Sequence, residues 1–139
     1  VGTRFPGLEP GDIILLRDFV LEMTRTFPTG RIYIYGHSQG AFAALALANQ
    51  FPRLFNGVVA DSGGLPEMPI GGLRAVASVF IHAAGDPVIP YRLSVEGRDV
   101  LRQDGSTTTA LLRTDAADHT PRAANVQQAL LWCTGITTE

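Results

Sequence analysis

The sequence predicts an α/β protein in which a mostly parallel sheet of about four strands is flanked by helices. Three observations predict it. Four short runs, Ile32–Tyr35, Gly57–Ala60, Val76–His82 and Thr107–Arg113, are almost continuously apolar or β-branched, as strands buried on both faces are. Segments with helical spacing alternate with them, the pattern of parallel βαβ units. Finally, Ser38, Asp61, Asp86 and His119 each follow one of the strands. A parallel sheet carries such residues to one edge, beyond the carboxyl ends of its strands.

The elements follow in order. Val1–Gly11, punctuated by Pro6, Gly7, Pro10 and Gly11, reads as an irregular arm. Asp12 is the expected N-cap of a helix from Ile13 to Phe27. Ile13, Leu16, Phe19, Val20, Met23 and Phe27 form one stripe at helical spacing, expected to be a core face. Pro28-Thr29-Gly30 ends it before the first strand. A helix from Gln39 to Gln50 stops near Phe51-Pro52. After the second strand, Leu65–Gly72 carries two prolines and two glycines and reads as a loop where a crossover helix would sit. Gly85-Asp86-Pro87 turns the chain after the third strand. Arg92–Gln103 is a helix closed by Asp104-Gly105. Thr120-Pro121 reads as an N-cap with proline at the first helical position, opening a last helix to about Trp132.

A chain of 139 residues, 45% apolar and 17% charged, suits a single domain spanning residues 1–139 with a substantial core. The net charge is −2 and the arginines are scattered singly, which argues against nucleic acid as a partner. The lone Cys133 has no disulfide mate and no metal-ligand neighbour, so a buried apolar role is expected. No apolar run approaches the roughly 18 residues of a membrane span. No leader is legible after Val1, and with no disulfide pair this favours the cytoplasm.

Gly36-His37-Ser38-Gln39-Gly40 carries the chemistry. It is G-x-S-x-G set between a strand and an Ala/Leu-rich helix, the context of a nucleophile elbow. Such a turn holds a serine hydroxyl clear of the backbone, and glycines let its arms approach. The following helix aims its free N–H groups at Ser38, so the Gln39 amide is an expected oxyanion donor. The competing reading is a Gly-rich βα turn with an incidental serine.

A serine nucleophile needs a base, and the base needs an orienting carboxylate. Of the three histidines, His37 lies inside the elbow and His82 closes a buried strand, where a structural role is expected. His119 lies on a loop past the last strand and is the preferred base. Asp86 is the preferred acid, with Asp61 a weaker candidate. Asp115 and Asp118, adjacent to His119, are expected to solvate their loop. The resulting order of Ser38, Asp86 and His119 is that of α/β-hydrolase triads.

On these residues the chain resembles the α/β-hydrolases, in their esterase, acyl-thioesterase and polyester-depolymerase branch. Residues 36–40 match that branch's elbow. His82-Ala83-Ala84-Gly85-Asp86-Pro87-Val88-Ile89-Pro90 resembles its HGxxDPVVP acid loop, and Asp118-His119 its histidine loop. The resemblance implies Ser38 as nucleophile, Asp86 as acid, His119 as base and the Gln39 amide in the oxyanion hole. It implies a reduced α/β-hydrolase fold that cleaves small carboxylic esters of short to medium acyl chain, without metal or organic cofactor. A thioesterase, a peptidase or a non-catalytic binding fragment of a longer hydrolase are the alternatives.

The chain departs from that pattern before the elbow. No strands and no HG motif precede Ile32, so the usual source of the second oxyanion donor is missing. The chain is then either the C-terminal part of a longer hydrolase or a reduced form. The arm at residues 1–11 or a neighbouring subunit are the expected substitutes for that donor. Ile32–Tyr35 becomes an apolar edge strand, which invites pairing, and a homo-oligomer through that edge is expected. The short Leu65–Ala75 connection implies a shallow acyl pocket, for which Leu65, Met68, Val88 and Ile89 are candidate lining residues.

Overall fold

The computed structural model describes residues 9–28 and 30–137, the side chains of 136 and 137 excepted. Its elements are α1 (Pro10–Thr26), β1 (Tyr33–His37), α2 (Gln39–Gln50), β2 (Gly57–Asp61), β3 (Ala77–Ala83), α3 (Arg92–Gln103), β4 (Thr109–Thr114) and α4 (Ala123–Thr137). A short 3-10 turn, Gly71–Ala75, stands between β2 and β3 where a crossover helix was not expected. The turn presses against the end of α2. A Cβ on Gly72 would lie 1.9 Å from the Asn49 carbonyl oxygen, so only glycine fits there.

The four strands are all parallel and lie in the order β1-β2-β3-β4. Right-handed crossovers between successive neighbours put every connecting helix on one face. That face buries Leu45, Leu47, Val58, Ala60, Leu73, Phe80 and Leu101 under α1, α2, α3 and the 3-10 turn. The opposite face, with Val59, Val79 and Ile81, is covered by α4 through Ala129 and Cys133. Alternate residues of β2 and β3 point to opposite faces, which is why both strands are buried at every position. Full burial of a side chain such as Phe80 contributes roughly 1.5–3 kcal/mol. Cys133 is buried as expected, and burial pushes its thiol up to about 11.

Helix starts at both ends of the chain differ from expectation. Pro10 occupies the first position of α1 and Glu9 caps it, so Asp12 lies one turn inside, its carboxylate accepting the Glu9 N–H at 2.8 Å. Proline's fixed φ starts the helix earlier than Asp12 alone would. Of the arm expected over Val1–Gly11, Pro10 and Gly11 therefore belong to α1, and residues 1–8 lie outside the described residues. At the other end, α4 begins at Ala123 rather than Pro121. The Arg122 carbonyl accepts from Asn125 and Val126, while Arg122 itself is paired back to Asp118.

The stripe on α1 departs most from expectation. Ile13 is buried and Val20 packs on the core, but Leu16, Met23, Phe19 and Phe27 are exposed, the last two by more than 60%. β1 is an edge strand, as expected. Phe19, Met23 and Phe27 of α1 line a groove with Ile32 and Tyr33 beside that strand.

Candidate active site

The elbow forms because the local sequence leaves it little choice. Ser38 has φ 60° and ψ −119°, a conformation that non-glycine residues adopt at a cost of about 1–3 kcal/mol. Its amide donates to the Asp61 carbonyl at 2.7 Å, and its carbonyl accepts from Ala41 at 2.9 Å, so both neighbours hold the strained turn. A Cβ on Gly36 would lie 1.9 Å from the Gly40 carbonyl oxygen, whereas one on Gly40 would meet nothing within 4 Å. Only the first glycine is sterically required. Gln39 is the first residue of α2, and its N–H lies beside Ser38 ahead of any intrahelical acceptor.

Ser38, His119 and Asp86, drawn from three separate loops, meet in one chain of contacts. His119 Nε2 is 2.8 Å from Ser38 Oγ, and His119 Nδ1 is 2.7 Å from Asp86 Oδ2. A carboxylate only accepts, so Nδ1 carries the hydrogen and Nε2 faces the hydroxyl as an acceptor. The Asp86 side chain has no exposed surface, and that of His119 is 18% exposed. Burial opposes the charge on Asp86. The hydrogen bonds from His119 and from the Ile89 and Val88 amides outweigh it and hold the carboxyl below its usual range. The two amides reach Asp86 Oδ1 at 3.0 and 2.8 Å.

The histidine loop is braced from two sides. His37 Nε2–H donates to the His119 carbonyl at 3.0 Å, and the two rings lie 4.8 Å apart. The turn that carries Ser38 therefore also holds the His119 loop, a role for His37 that its place in the sequence does not announce. Asp118 and Arg122 pair across the loop, and Asp115 pairs with Arg113. Arg122 holds the Asp118 carboxyl below its usual range.

Asp61 is engaged by two hydroxyls. It accepts the Tyr35 hydroxyl at 2.7 Å and the Ser62 hydroxyl at 2.9 Å. Burial, then the bond to Asp61, pushes the Tyr35 phenol upward. Of the expected pocket residues, Val88 is exposed and Ile89 half-buried on the acid loop next to Asp86. Leu65 and Met68 instead line a groove with Glu96, Gly97 and Val100 of α3, to which no triad residue contributes. Both are partly buried and also pack against the core. Among the described residues no group of three His, Cys, Asp or Glu side chains could hold a metal ion, and no helix is long and apolar enough to cross a membrane.

The fold is that of the α/β-hydrolases. The structure is similar to the F65L variant of Arabidopsis thaliana SOBER1, at TM-score 0.74 and 15% identity, over 88% of this chain and 62% of that one. It is similar to esterase PE8, at TM-score 0.71 and 20% identity, over 88% and 59%. It is similar to Zea mays acyl-protein thioesterase 2, at TM-score 0.71 and 18% identity, over 88% and 64%. The chain thus spans about three fifths of the length of these solved structures. No curated protein sequence is similar enough to count as a match. The phospholipase/carboxylesterase family profile matches residues 16–128, most of the chain, and the protein belongs to that family.

Proposed function

We propose that the chain carries the catalytic machinery of a serine esterase that hydrolyses carboxylic esters of short to medium acyl chain. One observation carries the reading: the unbroken contact from Ser38 Oγ through His119 to the buried Asp86 carboxylate, at 2.8 and 2.7 Å. In the first step His119 Nε2 takes the Ser38 proton as Oγ attacks the ester carbonyl carbon. The carbonyl oxygen becomes an oxyanion, which the Gln39 N–H meets. The carbon–oxygen bond to the alcohol breaks, and His119 returns its proton to the departing oxygen. Water then attacks the acyl-enzyme with His119 again as base, releasing the acid and restoring Ser38. Asp86 stays ionised throughout and stabilises the imidazolium.

The two resembling proteins described as an esterase and an acyl-protein thioesterase support acyl oxygen and acyl sulfur bonds as the substrate class. Val88 and Ile89, beside Asp86, are the pocket residues nearest the chemistry. Leu65 and Met68 serve a longer acyl chain that extends toward α3. The test is a chain-length series of p-nitrophenyl esters, with matched thioesters and amides, on the wild type and Ser38→Ala. A fluorophosphonate probe is applied to both. Turnover and labelling that vanish together in Ser38→Ala are expected. A folded wild type that neither labels nor turns over any ester ends the reading.

The same reading includes self-association. The outer backbone of β1 has no strand neighbour among the described residues, and Phe19, Met23 and Phe27 lie beside it in a shallow groove with Ile32 and Tyr33. A second copy pairing there covers both. Light scattering across a dilution series is expected to show a dimer or larger particle that dissociates in Phe19→Ser. A monomer that is active at all dilutions refutes the association alone.

A further inference from the structure

His82 is a fully buried histidine that the acyl-transfer steps do not use. Its hydrogen bonds nevertheless have a definite direction. Nε2 lies 2.9 Å from the Ile89 carbonyl oxygen, which only accepts, so Nε2 carries a hydrogen. Nδ1 lies 2.6 Å from Ser94 Oγ, and that hydroxyl also lies 3.1 Å from the Gly63 carbonyl oxygen. The Gly63 carbonyl only accepts, so Ser94 Oγ is the donor in that contact. Ser94 of α3 therefore holds the ring at Nδ1 while Nε2–H faces the Ile89 carbonyl.

The lock bears on Asp86. Ile89 is bonded at both ends, its N–H to Asp86 Oδ1 at 3.0 Å and its carbonyl to His82. His82 thereby anchors the loop on which the carboxylate is built. His82 Nε2 is also 3.4 Å from Asp86 Oδ2, the same oxygen that accepts from His119. At that distance the contact is electrostatic, the hydrogen being given to Ile89. The Tyr91 ring meets His82 edge-on at 5.8 Å and closes the remaining side. No other charged group is shown facing the ring: Arg92 and Glu96 of α3 pair with each other in the open, and Asp61 belongs to Tyr35 and Ser62.

We propose that His82, held by Ser94, is a positioning residue that clamps Asp86 against His119 from behind. The clamp rests on the serine-hydrolase reading for its effect on rate, but its geometry does not. A carboxylate free to swing weakens the orientation of the base, and displacement of a catalytic group by about 1 Å can cost on the order of 100-fold in rate.

The experiment uses the full chain. Nitrogen-15 spectra of the wild type are expected to show His82 protonated at Nε2, with a slowly exchanging hydrogen. A His82 protonated at Nδ1 instead, or exchanging like a surface histidine, overturns the clamp whether or not the protein is an esterase. Kinetics on p-nitrophenyl butyrate follow. His82→Leu is expected to lower kcat tenfold to hundredfold with KM held within about twofold, and to shift the low-field proton between His119 and Asp86. His82→Gln, which keeps a donor for Ile89, recovers most of the rate. Should His82→Leu fail to fold, Ser94→Ala decides: it leaves the ring in place but unlocked, and is expected to broaden the same proton signal and lower kcat several-fold. An unchanged kcat and an unmoved signal in the folded variants overturn the proposal. Absence of fluorophosphonate labelling in the wild type instead defeats the esterase reading and leaves the nitrogen-15 result to judge the clamp.

Discussion

The His37 ring donates to the His119 main-chain carbonyl at 3.0 Å, so the residue before Ser38 restrains the loop that carries His119. This bond ties the Ser38 turn directly to the His119 loop. His37→Phe keeps a ring and removes the donor. It is expected to lower kcat by about tenfold to hundredfold through misplacement of the base, with little change in KM. His37→Gln, whose amide can donate to the same carbonyl, is expected to retain more activity. Steady-state kinetics on one ester separate the two, and equal losses in both variants would count against the bond.

The two glycines of the elbow predict opposite outcomes. A methyl on Gly36 would lie 1.9 Å from backbone oxygen and cannot be accommodated without moving the turn. Gly36→Ala is expected to cost upward of 1–3 kcal/mol and most of the activity. A methyl on Gly40 meets nothing within 4 Å and lies inside α2, so Gly40→Ala is expected to be neutral or to stabilise by up to about 1 kcal/mol. Urea unfolding of both variants checks the contrast.

Asp86 and Asp61 are told apart by one neutralising change each. Asp86→Asn is expected to lower kcat by about 10⁴-fold, because the amide holds the wrong imidazole tautomer. Asp61→Asn is expected to leave the rate within a few-fold and to lower stability, since two hydroxyl donors lose a charged acceptor; each such bond is worth about 1.5–3 kcal/mol. A large rate loss in Asp61→Asn with normal stability would contradict this assignment.

Stability should also depend on pH through Asp86. Its carboxyl is held below the ordinary value of 3.8 in the folded state. A depressed acid contributes stability that is fully present above the unfolded value and is lost as pH falls through the folded one. The wild type is therefore expected to lose Tm on acidification below about pH 4 more steeply than Asp86→Asn. Parallel slopes in thermal scans from pH 6 to the acid limit would show that Asp86 is not the group responsible.

Much of the fold was legible because strand and helix periods depend on neighbouring residues. The four strands, the helix after Ser38 and the edge position of β1 all follow from local pattern and connection rules. The meeting of Ser38, Asp86 and His119 was legible because a parallel sheet gathers whatever follows its strands. What periodicity cannot report is what lies opposite an apolar face. Leu16, Phe19, Met23 and Phe27 have the spacing of a core stripe yet are exposed, since the stripe records the helix and not its partner. The start of α4 was misread for a related reason. Thr120-Pro121 has good local start chemistry, but the His37 bond and the Asp118–Arg122 pair hold that stretch as loop. Leu65 and Met68 both pack against the core and line the groove beside α3, a placement set by contacts distant in sequence that no local pattern reports.

Each strand pairs only with those adjacent to it in chain order. A ribosome therefore delivers the sheet one finished neighbour at a time, and no early strand waits for a distant mate. The nucleophile turn, sustained by Asp61, is complete once β2 has emerged. His119 is the last of the three contacting side chains to be made, so a nascent chain can hold Ser38 in its strained turn before its His119 partner exists.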